Sequence, residues 1–138
     1  MEVVLHLPVV PNVELVAAKA VETLGGALAM HQSRVEAASV AVVEACLNAM
    51  EHGGGPVTVR LRSENQDSRS CLVVEVEDHG DGFDPDMAPQ NSPSRVIGRS
   101  SKRGWGLTLI RELMDEVQIR SAPGKTLVYM CKYVESSP

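Results

Sequence analysis

Aromatic side chains are scarce, at 3% of the 138 residues: one Trp, two Tyr and one Phe. Val, Ala, Leu and Met must therefore fill the core, which calls for close packing of small side chains. Basic charge is also in short supply. The formal charge of -5 excludes a broad electrostatic grip on nucleic acid, although a local basic patch could still meet a phosphate group. No apolar run approaches the roughly 20 residues that span a bilayer. The N-terminus carries neither the basic nor the apolar region of a signal peptide. Both absences lead us to expect a cytoplasmic protein without membrane contact. Cys46, Cys71 and Cys131 are odd in number, widely spaced and without a CxxC pair. They read as reduced structural thiols, not as a disulfide frame or a zinc site.

What is present is ordinary for a globular protein, at 43% hydrophobic and 22% charged, and no repeat or linker divides the chain. A single domain over residues 1–138 is expected. The pattern predicts a strand over Glu2–Val9 and a helix over Asn12–Leu24, which Gly25-Gly26 weakens or ends. Ser33-Arg34-Val35-Glu36 has the form of a capping box and predicts a helix from Ser33 to about His52, stopped by Gly53-Gly54-Gly55-Pro56. Strands are expected at Val57–Arg62 and Cys71–Glu77, joined by the polar stretch Ser63–Ser70. A long loop, Asp78–Arg103, precedes a helix over Trp105–Met114 and strands near Val117–Ser121 and Thr126–Val134. This order suits an α+β two-layer sandwich, with helices on one face of a mostly antiparallel sheet.

Three segments carry chemistry. The helix Ser33–His52 is apolar on both flanks, which predicts that it is buried, yet Glu44, Asn48 and His52 recur every four residues along it. Such a row requires partners if it is buried, because an unpaired interior carboxylate is very costly. Magnesium and a triphosphate would supply them: Asn48 offers a hard amide oxygen, and Glu44 a general base one turn away. The same row also suits a solvated stripe on a surface helix. His52, near the helix end, suits a cap or a packing residue as well as a ligand.

The second segment is Asp78-His79-Gly80-Asp81-Gly82. Leu72, Val74 and Val76 share one strand face, and period-two parity puts Asp78 on it, where an adenine amine would be a fitting donor. Gly80 and Gly82 would let the backbone pass close to a flat base, although the pattern also reads as a plain turn. The third is Gly104-Trp105-Gly106-Leu107, opening the last helix, where free amides form an anion site. Arg95, Arg99, Lys102 and Arg103 lie just upstream and could add charge, or be solvated loop residues.

Taken together, these segments resemble the histidine-kinase-like ATPase superfamily in order and spacing. Glu44-Ala45-Cys46-Leu47-Asn48-Ala49-Met50-Glu51-His52-Gly53 resembles its magnesium-binding helix, Asp78-His79-Gly80-Asp81-Gly82-Phe83 its adenine turn, and Gly104-Trp105-Gly106-Leu107 its phosphate turn. Within the superfamily the chain resembles bacterial anti-sigma factor serine/threonine kinases, through the E-A-x-x-N-A-x-x-H-G helix and the stretch Gly106-Leu107-Thr108-Leu109-Ile110 leading to Leu113-Met114-Asp115-Glu116-Val117. The resemblance implies a Bergerat-type ATP-binding fold, with ATP and magnesium as cofactors. It also implies Asn48 as magnesium ligand, Glu44 as base on a partner hydroxyl and Asp78 on the adenine amine. Gly80, Gly82, Gly104 and Gly106 would shape the pocket. Where the family commonly has Gly-Thr, Lys125 intervenes between Gly124 and Thr126; Thr126 is the matching candidate beside adenine, and Arg103 the candidate contact to the terminal phosphate. The implied partners are an anti-sigma factor antagonist of the STAS type, a sigma factor and a second copy of the chain. The alternatives are an ATP- or ADP-binding interaction module without kinase activity and the catalytic domain of a sensor histidine kinase. The second is disfavoured by the expectation that no dimerisation helix precedes Met1.

Overall fold

The computed structural model describes residues 1–79 and 106–135. Five strands form one sheet: β1 (Glu2–Leu7), β2 (Val57–Gln66), β3 (Arg69–Asp78), β4 (Glu116–Ala122) and β5 (Lys125–Tyr133). Their spatial order is β1-β2-β3-β5-β4, with every neighbouring pair antiparallel. Three helices, α1 (Glu14–Ala27), α2 (Gln32–Gly53) and α3 (Gly106–Leu113), pack against one face among the described residues. This is the α+β sandwich that the element order predicts. No helix among the described residues is long and apolar enough to cross a membrane.

The core lies between the sheet and the helices. Alternation puts Val57, Val59 and Leu61 of β2, Leu72, Val74 and Val76 of β3, and Val128 and Met130 of β5 on the helix side. They meet Ala17, Val21 and Leu24 of α1 and Ala38, Ala41, Val42, Ala45 and Cys46 of α2. No aromatic ring enters this core among the described residues, as the composition demands. The opposite face carries a small second cluster of Cys71, Val73 and Cys131, flanked by Tyr129 and Tyr133. The guanidinium of Arg69 lies 3.7 Å from the centre of the Tyr133 ring.

Several boundaries differ from the sequence reading, each for a local reason. Gly25-Gly26 does not end α1, which runs on to Ala27; a side chain on Gly25 would meet Val35 Cγ2 at 2.8 Å, so this glycine lets the two helices close up. Ser33 is not the cap of α2. His31 holds that place in an extended conformation, its Nδ1 accepting from the Ser33 amide at 3.2 Å, while Glu36 accepts from Gln32 Nε2 instead. The strands β2 and β3 run further than expected. Asp67 and Ser68, both at positive φ (51° and 66°), turn the chain within two residues. α2 is not buried all round: Val40 is exposed, and Val43, Leu47 and Met50 are half-buried.

Candidate functional site

At one end of the sheet the antiparallel register aligns Leu7, Val57, Asp78, Thr126 and Ser121 across all five strands. Parity thus brings Asp78 to the helix side, as its spacing from Val76 predicts, and it is only 3% exposed. Thr126 faces it from β5 at 1% exposure, and its hydroxyl lies 3.1 Å from that of Ser121. The extra residue Lys125 does not displace Thr126. Alternation sends it to the opposite face, where its Nζ sits 3.2 Å from Glu77 Oε2.

α2 approaches this row with its C-terminal end. A Cβ on Gly53 would lie 2.9 Å from Cβ, Cγ and Oδ1 of Asp78, so only glycine lets the helix end close against that carboxylate. One turn earlier Asn48 is 6% exposed, and its Oδ1 has no hydrogen-bond partner. An orphaned interior carbonyl oxygen costs about 1–3 kcal/mol, and such a group in a native fold calls for an explanation. The start of α3 lies directly against it. A Cβ on Gly106 would meet Asn48 Nδ2 at 2.3 Å and Glu44 Oε2 at 2.9 Å. The N-terminal, positive dipole end of α3 therefore adjoins both polar side chains of α2. A hard cation with an anionic ligand fits this donor set: amide oxygen, carboxylate and helix N-terminus. Asn48 is the residue that would hold the cation.

A family model described as a histidine kinase-like ATPase domain matches residues 10–132. The chain belongs to that family. Among its relatives, the "Serine-protein kinase RsbW" of Bacillus velezensis is 38% identical over 109 residues, covering 72% of this chain and 65% of that protein. The "Anti-sigma F factor" of Caldanaerobacter subterraneus subsp. tengcongensis is 34% identical over 101 residues, covering 71% and 66%. The matches thus span about two thirds of these relatives' own length. A chain of the SiaB-SiaC complex from Pseudomonas aeruginosa shares the fold, with a TM-score of 0.55 at 12% identity over 96% of this chain and 89% of that one.

In this histidine kinase-like ATPase domain, Glu44 and Asn48 lie on the C-terminal half of α2, Gly106 opens α3 against them, and Asp78 and Thr126 share the sheet row beside the end of α2. His52 is half-buried in the last turn of α2, and Leu107 is half-buried against the core. Gly80, Gly82, Arg95, Arg99, Lys102, Arg103, Gly104 and Trp105 lie outside the described residues. Two neighbours of the site escaped the sequence reading. Ser121 gave no signal, because nothing local marks it as opposite Thr126. Gly53 was read as a helix stop and as the last residue of the motif on α2, but nothing local marks it as lying against Asp78. The three cysteines stand apart from this chemistry: all are free and buried. Burial, with the Glu14 charge adding to it, pushes the Cys46 thiol up to about 12, and burial raises Cys71 and Cys131 as well.

Proposed function

We propose that this domain is an ATP-dependent protein serine/threonine kinase and anti-sigma factor in a partner-switching system, phosphorylating an anti-sigma factor antagonist. The observation that carries the proposal is the partnerless Asn48 oxygen, buried beside Glu44 under the glycine that opens α3. The printed names of the relatives, a serine-protein kinase and an anti-sigma factor, agree with it.

Catalysis of this kind is largely positioning and charge neutralisation. Asp78 accepts from the adenine amine with Thr126 beside it, and Gly53 keeps room for the base. Asn48 would hold magnesium, which would supply charge to offset that of the phosphates. The amides at the start of α3 face the phosphates, and Gly106 lets them approach. Glu44 takes the proton of the incoming hydroxyl, whose oxygen forms the new bond to phosphorus as the bond to the nucleoside diphosphate breaks. His52 would support the nucleotide from the end of α2. Gly80, Gly82, Gly104, Trp105, Leu107 and Arg103 complete the pocket on the strength of the motif resemblance. The partners in this reading are a STAS-type antagonist, a sigma factor and a second copy of the chain, in the cytoplasm.

The test is transfer of labelled phosphate from Mg-ATP to a STAS-type antagonist, comparing wild type with Glu44→Gln. The proposal expects phosphoserine or phosphothreonine on the antagonist with wild type and a loss of about 100-fold or more with the variant, which should still bind nucleotide. Equal rates would remove Glu44 from the role of base. Binding of antagonist and nucleotide without any transfer would leave an interaction module in place of a kinase.

A further inference from the structure

The start of α3 forms one wall of the site, and the cluster at its other end is well built. Lys132, on β5, is 8% exposed, and its Nζ donates to the Leu113 carbonyl at 2.5 Å, with Asp115 Oδ1 at 4.0 Å. Asp115 Oδ2 accepts from Arg34 Nη2 at 2.5 Å and from the Tyr133 amide at 2.7 Å. Arg34 Nε donates to the Tyr133 carbonyl at 2.8 Å, and the Asp115 amide donates to the Cys131 carbonyl at 2.9 Å. The first turn of α2, the last turn of α3 and the end of β5 are thereby tied through one carboxylate.

The physics favours a fixed end. The last carbonyls of a helix lack partners inside it, and a cation there also meets the negative end of the dipole. A helix of eight residues does not hold its own place in water, so its position comes from the core packing of Ile110 and from what anchors its end. At 1.5 Å per residue, Gly106 lies roughly 10 Å from Leu113 along a stiff rod. A tilt at the anchored end therefore moves Gly106 against Asn48 and Glu44, where no spare room exists.

We propose that Arg34, Asp115 and Lys132 are positioning residues for phosphate binding. They set where the start of α3 sits over Asn48 and Glu44 without themselves touching the nucleotide. The inference rests on the reading of this site as a magnesium-nucleotide site. It assigns the phosphate half of recognition to α3 and its anchor, and the adenine half to Asp78 and Thr126 at the end of the sheet.

The experiment is titration of wild type, Asp115→Asn and Lys132→Met with Mg-ADP by calorimetry. The same proteins are titrated with adenosine by amide shifts in NMR, which register weak binding. Mg-ADP affinity is expected to fall about tenfold in both variants, the scale of one charge-assisted hydrogen bond, while adenosine affinity stays within about twofold of wild type. Arg34→Lys, which keeps the charge but not the paired geometry, should fall between. Equal weakening toward both ligands would show general loosening and overturn the proposal, as would unchanged Mg-ADP affinity. If Lys132→Met does not fold, the near-isosteric Asp115→Asn decides alone. Failure of wild type to bind Mg-ADP would instead remove the site reading, and this inference with it.

Discussion

Substituting Gly106 by alanine probes the contact on which the site depends. The new Cβ would fall 2.3 Å from Asn48 Nδ2, 3.1 Å from Asn48 Cγ and 2.9 Å from Glu44 Oε2, all well inside van der Waals contact. Asn48 is buried and cannot swing away freely, so either its amide rotates or α3 lifts. Overpacking of this kind costs about 1–3 kcal/mol. Alanine returns up to about 1 kcal/mol in helix propensity, less in a first turn. A net loss of about 1–2 kcal/mol follows, or a fall in Tm of about 3 °C for each kcal/mol at this chain length. Asn48→Ala alone should cost little without ligand, because it removes a partnerless interior oxygen together with its packing. In the double variant the amide clash is gone and only the Glu44 contact remains. The two changes should then couple by about 1 kcal/mol, with the double variant more stable than the sum of the singles predicts. Thermal unfolding of all four ligand-free proteins measures this. Additivity within about 0.3 kcal/mol would mean that the start of α3 does not rest on Asn48, and the site geometry would have to be abandoned.

Two further outcomes follow from the packing of α2. Gly53→Ala should weaken nucleotide binding with and without magnesium, because its Cβ displaces Asp78 and leaves Asn48 alone; a variant that loses only its magnesium dependence would contradict the assignment. Cys46, buried and with its thiol raised to about 12, should resist alkylation near neutral pH in the folded protein and react once unfolded, since the thiolate is the reactive form. Prompt labelling of native Cys46, located by mass spectrometry, would show that α2 is not packed as described.

Much of the placement of the candidate site's residues was legible because it obeys short periods. Parity from Leu72 to Asp78 places a carboxylate on the helix side of β3, and four-residue spacing puts Glu44 and Asn48 in one row; both are properties of a few consecutive residues. The fold class followed from element order for the same reason. What stayed hidden depends on partners distant in sequence. Gly25 looks like a helix breaker until Val35 is brought against it, and Ser33 looks like a cap until the His31 ring takes the Ser33 amide. The intervening Lys125 seemed to disturb the last turn, yet strand alternation points it away from the site while Thr126 points in. The anchor of α3 joins Arg34 to Asp115 across 81 positions, and no local pattern announces such a pair.

The most direct test of the account is calorimetric titration of Mg-ADP into wild type, Asp78→Asn and Asn48→Ala, each with and without magnesium. The account predicts binding by wild type, a loss of at least about tenfold with Asp78→Asn, and weaker binding without magnesium dependence in Asn48→Ala. Folded wild type that binds no nucleotide, or an Asn48→Ala variant that keeps full magnesium dependence, would contradict it.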